Sequence, residues 1–165
     1  YNIETRRIDY LKKIKRKTAI LIAFACVTGS IVSKASDENI KSAFSYGYYL
    51  GMSYQIIDDY LDFAGGAENL GKEVGQDLMN GNITLPALLA REEKPELFNS
   101  FTNETSFEEK MEIIDYIRNN EKILSETLDI SKRYLLKAQN SIDKIEISVK
   151  NELTFIMNKL ARRDN

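Results

Sequence analysis

An all-α fold is what this sequence predicts, on three observations. Apolar residues recur at spacings of three and four along most of the 165 residues, the period of helices that bury one face. Only two prolines occur, Pro86 and Pro95, both mid-chain. Strand alternation is missing even around Asn80-Gly81, a dipeptide that favours hairpins, which lies between Asp77-Leu78-Met79 and Ile83-Thr84-Leu85.

Composition narrows the class. At 43% hydrophobic and 29% charged, the chain reads as one globular domain able to bury a real core. A net charge of −2 gives no support for a nucleic-acid partner. The one cysteine, Cys26, lies in the apolar run Ile20–Val27 and reads as an inert core residue. No disulfide framework can form from it, which fits a reducing cytoplasm. The run is too short to span a bilayer and no signal peptide precedes it. The chain has no histidine, which removes Ser-His and Cys-His nucleophile pairs, histidine-rich zinc sites and Glu-x-x-His di-iron bundles. Its chemistry must use carboxylates, lysines, amides and metal. The chain also begins at Tyr1 with a helical pattern already under way, so an upstream part is expected.

In chain order, Ile8 to about Ser33 reads as one helix or a pair. Its basic opening, Lys12-Lys13-Ile14-Lys15-Arg16-Lys17, leads into the apolar stretch Ala19–Val27, as a helix does when it leaves the surface and enters a core. Ser36-Asp37-Glu38 supplies a capping oxygen and acids for the next first turn. That helix is expected from about Asp37 to Phe63, with Phe44, Tyr48, Gly51, Met52, Gln55, Ile56, Asp59 and Phe63 on one face. Gly47 and Gly51 each cost a helix roughly 1 kcal/mol relative to alanine, a cost that close approach of another helix would justify. Five glycines between Gly65 and Gly81 mark a loop. It is no P-loop, because no Lys-Ser/Thr follows the right glycine spacing. Thr84 is placed to cap the helix that contains Pro86 in its first turn. Glu92-Glu93-Lys94-Pro95 ends that helix. Ser106-Phe107-Glu108-Glu109 is a capping box for a helix to about Asn119, and another follows from about Glu121 to Ser141. Ile142, Ile145, Val149, Leu153, Ile156 and Leu160 then mark a last amphipathic face, read as core packing.

The chemistry-bearing stretch is Gln55-Ile56-Ile57-Asp58-Asp59-Tyr60-Leu61-Asp62. On a helix the three carboxylates share roughly one face, a turn below Gln55. Like charges so spaced repel by a few tenths of a kcal/mol, roughly, on an exposed helix and more when half-buried. These eight residues alone suit a solvated face paired to lysines as well as they suit a hard divalent cation such as magnesium, which prefers oxygen ligands.

The surrounding motifs tilt that balance. Gln-x-x-Asp-Asp-x-x-Asp, then Lys72, Gly75-x-Asp77-Leu78 and Thr84-Leu85-Pro86, resembles the second aspartate-rich region of the trans-prenyl diphosphate synthases. Lys17-Thr18, with the small and apolar helix that follows to Gly29, resembles that family's Lys-Thr segment. The match runs from about Tyr10 to Ala90 in the same order. Within the family, Tyr10–Ala19 is most similar to the catalytic subunit of two-component bacterial hexaprenyl or heptaprenyl synthases.

The resemblance implies an isoprenoid-synthase-type helical bundle around a central cavity, with this chain as its C-terminal half and a first aspartate-rich motif upstream. It implies a chain-elongating prenyltransferase that joins isopentenyl diphosphate to an allylic prenyl diphosphate and makes a medium- or long-chain polyprenyl diphosphate, a precursor of quinone side chains. Two to three magnesium ions are implied for the complete site. Asp58 would be the principal direct metal ligand, with Asp59 and Asp62 holding metal-bound waters or orienting the cluster. Lys17 and Lys72 would grip the allylic diphosphate, and Thr18 and Gln55 would stabilise the cation. The implied partners are the chain's own upstream half and either a second copy or a small regulatory subunit. Membrane contact would be peripheral at most. One departure is Asn82, where the family commonly carries a lysine. Two other readings stay open: a terpene cyclase or head-to-head condensing enzyme, and a non-catalytic helical scaffold. The loop from Lys72 to Pro86 speaks for elongation over cyclisation, and intact Asp58, Asp59 and Asp62 speak against a degenerate scaffold.

Overall fold

The computed structural model describes residues 5–65, 74–99, 101–102, 104–143, 145 and 147–161, and every regular element among them is helical. The first helical run comprises α1 (Arg7–Ile14), a π-helical turn (Lys15–Ala19) and α2 (Ile20–Val32) without interruption. Then come α3 (Asp37–Ala64), the short α4 (Gln76–Met79), α5 (Leu85–Glu93), a 3-10 turn at Pro95–Phe98, α6 (Phe107–Arg118), α7 (Glu121–Ile142) and α8 (Ile147–Ala161).

The starts follow the local chemistry. Ser36 Oγ accepts from the Asn39 amide at 3.3 Å. At Ser106 both halves of the capping box form: Glu109 N donates to Ser106 Oγ at 3.2 Å, and Ser106 N donates to Glu109 Oε2 at 2.9 Å. Thr84 occupies the N-cap position of α5, yet its hydroxyl makes no capping bond and is buried without a partner. Pro86 contributes no amide to that first turn, so the hydroxyl has one donor fewer to meet.

The chain divides into two compact units, Tyr1–Tyr10 with Asp58–Leu128 and Leu11–Ile57 with Asp129–Asn165. In the first, α5 is buried along Leu85–Ala90, and both α4 and α5 pack on α6. Ile113, Ile114 and Ile117 of α6 are buried, and Phe98 stands 6.0 Å from Phe101, ring to ring. Arg7 pairs with both Glu92 and Glu126.

In the second unit α2 and α3 meet backbone to backbone. A Cβ at Gly47 would fall 2.8 Å from Ala23 Cα, and one at Gly51 would fall 2.6 Å from Ala19 Cα. Ala19 and Ala23 are themselves fully buried. Farther along α3, Ser53 and Ser131 share a buried hydroxyl–hydroxyl bond of 2.7 Å. Tyr46 donates to the Leu153 carbonyl at 2.9 Å.

Four expectations need correction. The helix after Lys17 does not enter the core as a whole: it is seated through Ala19 and Ala23, while Leu21 and Phe24 on its other side are 73% and 66% exposed. Cys26 is accordingly half-buried. The last helix starts at Ile147 and turns its buried face toward Met157 and Leu160, leaving Val149 and Ile156 exposed. Spacings of three and four leave two adjacent faces open, and hydrophobicity alone did not choose between them. Phe44 also lies outside the buried face of α3.

The glycine contact carries a prediction. Gly51→Ala gains up to about 1 kcal/mol of helix propensity but drives a methyl into the backbone of Ala19, which cannot step aside. Net destabilisation of roughly 1–3 kcal/mol is expected, read from urea denaturation of the full-length protein. An unchanged or raised midpoint would show that the helices do not meet there.

Candidate metal and diphosphate site

The second unit holds the Lys-Thr element. The π-helical turn, in which Ile20 N donates to Lys15 O, inserts one residue into the helix just where Lys17 and Thr18 occur. Such single π turns shift the phase of the side chains that follow. Here Ala19 comes to face Gly51, and Thr18 Oγ1 donates to Gln55 Oε1 at 2.6 Å. Gln55 is only 3% exposed, while Lys17 is exposed. A hydroxyl whose proton is given to Gln55 can offer only lone pairs to anything else.

The first unit holds the acids, on the last two turns of α3. Their settings differ. Asp58 is exposed. Asp59 is 2% exposed and accepts a 2.7 Å bond from the Tyr10 hydroxyl, itself buried at the start of the chain's first helix. Asp62 is half-buried and faces the re-entering chain: its Oδ1 accepts from Gln76 N and its Oδ2 from Asp77 N, each at 3.1 Å. Burial pushes the Asp62 carboxyl above its ordinary range, with the charges of Asp77 and Asp58 adding to the rise and the two amides opposing it. Asp77 in turn accepts from Asn82, through its backbone carbonyl at 2.7 Å and through Oδ1 at 3.4 Å.

Sequence reasoning missed two of these relations. Tyr10 lies four residues before Ile14, and both are buried, so a buried face was legible. A buried tyrosine hydroxyl also demands an acceptor. Which acceptor it meets is a long-range fact with no local signal. The amides of Gln76 and Asp77 were equally invisible, because backbone donors have no sequence signature. Lys72 lies outside the described residues.

The donors suit a hard cation. Every acid side chain here offers oxygen, and the chain has no histidine. No group of three or more acidic or cysteine side chains close enough to share a metal occurs among the described residues. Magnesium does not require one, since it is held by one or two carboxylates together with water and phosphate oxygens. Asp58 is the exposed carboxylate of the three.

Comparison with known proteins agrees with this composition. Residues 2–118 match the family model for polyprenyl synthetase. Component 2 of the heptaprenyl diphosphate synthase of Bacillus subtilis (strain 168) is 46% identical over 141 residues, covering 84% of this chain and 40% of that protein. The structure of heptaprenyl diphosphate synthase from Staphylococcus aureus superposes with a TM-score of 0.93 at 36% identity, over 99% of this chain and 52% of that one. A polyprenyl synthase from Caulobacter crescentus CB15, complexed with calcium and isoprenyl diphosphate, superposes at 0.83 with 27% identity, over 99% of this chain and 50% of that one. This chain therefore spans about half the length of the relatives it matches, and shares their helical-bundle fold. It belongs to the polyprenyl synthetase family.

Proposed function

We propose that the protein carrying this chain elongates prenyl chains, condensing isopentenyl diphosphate with an allylic prenyl diphosphate to give a medium- or long-chain polyprenyl diphosphate. The observation that carries this reading is the graded setting of the three acids: Asp58 is exposed, Asp59 is buried against the Tyr10 hydroxyl, and Asp62 faces the amides of Gln76 and Asp77. An exposed carboxylate suits magnesium, which is held by one or two carboxylates together with water and phosphate oxygens. Asp58 would hold magnesium, and bound there the metal supplies Lewis-acid stabilisation of the departing diphosphate.

The remaining residues have work that follows from their chemistry. Lys17 and Lys72 neutralise the diphosphate as the allylic carbon–oxygen bond breaks and the electron pair leaves with oxygen. Thr18 and Gln55 direct oxygen dipoles toward the carbocation, and their mutual bond supports this by committing the Thr18 proton. The double bond of isopentenyl diphosphate then attacks, and the surplus proton passes to the released diphosphate. No histidine base is needed. Tyr10 fixes the Asp59 carboxylate through its 2.7 Å bond, and Asp59 would in turn support a magnesium held at Asp58, as outer partners orient metal ligands elsewhere. Asn82 is bonded to Asp77, so it serves the loop and makes no contact we assign to diphosphate.

Two relatives are named as component 2 of a heptaprenyl diphosphate synthase, which supports a two-component assembly with a small partner subunit; a homodimer is the other arrangement. No helix among the described residues is long and apolar enough to cross a membrane, and we place the enzyme in the cytoplasm with peripheral membrane contact at most. A quinone side chain is the proposed destination of its product.

Two substitutions in the full-length enzyme test these roles. Asp58→Ala should lower turnover of isopentenyl and farnesyl diphosphates by on the order of a hundredfold or more. Unchanged product formation would remove Asp58 from the reaction. Tyr10→Phe should raise the magnesium concentration needed for half-maximal turnover by about tenfold. An unaltered magnesium curve with lowered thermal stability would reduce Tyr10 to a packing residue.

A further inference from the structure

The chain leaves α3 at Ala64 and comes back at Gly75, and all three residues at its return are bonded to Asp62. Gly75 N donates to the Asp62 carbonyl at 2.8 Å, Gln76 N to Oδ1 at 3.1 Å and Asp77 N to Oδ2 at 3.1 Å. Gly75 adopts φ 73°, the left-handed region that glycine enters without strain. A left-handed residue followed by a right-handed turn aims successive amides into one concavity, the arrangement with which many proteins hold a phosphate. In this chain the anion in the concavity is the protein's own Asp62.

We propose that Asp62 is a positioning residue, a clasp that fixes where the loop re-enters, and is not a metal ligand. The inference rests on the reading of Asp58 as the carboxylate that meets the metal. Both Asp62 oxygens accept an amide proton, one each, so the plane of the carboxylate is set by the loop. The clasp also accounts for Gly75. A Cβ there would lie 2.5 Å from Ile114 Cδ1, so the return is pressed against α6 on one side and held by Asp62 on the other. Downstream, Leu78 is fully buried and Asp77 accepts one bond from the backbone nitrogen and one from the side-chain nitrogen of Asn82. The run from Gln76 to Thr84 thus takes its register from Asp62. A second consequence concerns substrate: the amides of Gln76 and Asp77 are already used, so they do not cradle diphosphate.

The two roles separate on Asp62→Asn and Asp62→Ala in the full-length protein. Asparagine keeps one acceptor oxygen for an amide and loses the charge; alanine loses both. For a clasp, hydrogen exchange of the Gln76 and Asp77 amides without substrate or metal accelerates by about tenfold or more in the alanine variant and by less in the asparagine variant. Turnover follows the same order, with asparagine about tenfold or more above alanine, and the magnesium concentration for half-maximal turnover stays within about threefold of wild type in both. The proposal is overturned if amide protection is intact in the alanine variant, or if asparagine is as inactive as alanine with a raised magnesium requirement. Should alanine fail to fold, the asparagine variant decides by the same two measurements. If the wild-type protein made no prenyl product, the function reading would fail while the exchange measurement still judged the clasp.

Discussion

The contact of the π-helical turn and α2 with α3, through Ala19, Ala23, Gly47 and Gly51, is the constraint on which the Lys-Thr element depends. With no side chain between the backbones, the two helices are brought within van der Waals distance of one another. That closeness is what lets the short Thr18 side chain reach Gln55 at 2.6 Å; a leucine between the helices would hold them apart by several ångströms, roughly, at the usual helix–helix separation. The π-helical turn is part of the same arrangement. It changes the phase of the helix so that Ala19 faces Gly51 while Lys17 stays exposed. Two glycines that weaken α3 as a helix are thus what allows this close approach.

At the other end of α3 the problem is electrostatic. Three carboxylates within five residues repel, and burial aggravates the repulsion. The molecule answers by giving each a different environment. Asp58 stays in solvent, Asp59 is buried against a tyrosine hydroxyl, and Asp62 is turned to backbone amides. Bonds to a charged acceptor contribute about 1.5–3 kcal/mol each, enough to offset a repulsion of a few tenths per pair. Burial leads the rise of the Asp62 carboxyl above its ordinary range, and the charges of Asp77 and Asp58 add to it.

Much of this was legible in the sequence because it is local. The helix from Asp37 to Ala64, the capping box at Ser106 and the close approach at Gly47 and Gly51 all follow from spacing. The family likeness rested on the order of Lys17-Thr18, the acids, Lys72, Gly75-x-Asp77-Leu78 and Thr84-Leu85-Pro86. What stayed hidden was long-range or backbone-borne. Nothing near Tyr10 says that its hydroxyl meets Asp59, forty-nine positions away. Nothing near Asp62 says that amides will occupy it. The face of α8 was misjudged in part: Leu160 is covered as its spacing predicts, but Val149 and Ile156 are as apolar as Met157, and only the tertiary neighbours decide which of them are covered. The π turn has no residue signature at all.

The central claim is that these carboxylates work through a hard cation on a diphosphate leaving group, with carbon–carbon bond formation as the outcome. Incorporation of labelled isopentenyl diphosphate into chloroform-extractable product by the full-length enzyme, followed with magnesium and again after its chelation, measures this directly. Lengthened prenyl diphosphates that form with magnesium, stop on chelation and resume on its return are the predicted result. Incorporation that continues without a divalent cation, or an allylic substrate that ionises to cyclic hydrocarbon with no isopentenyl label taken up, would contradict it.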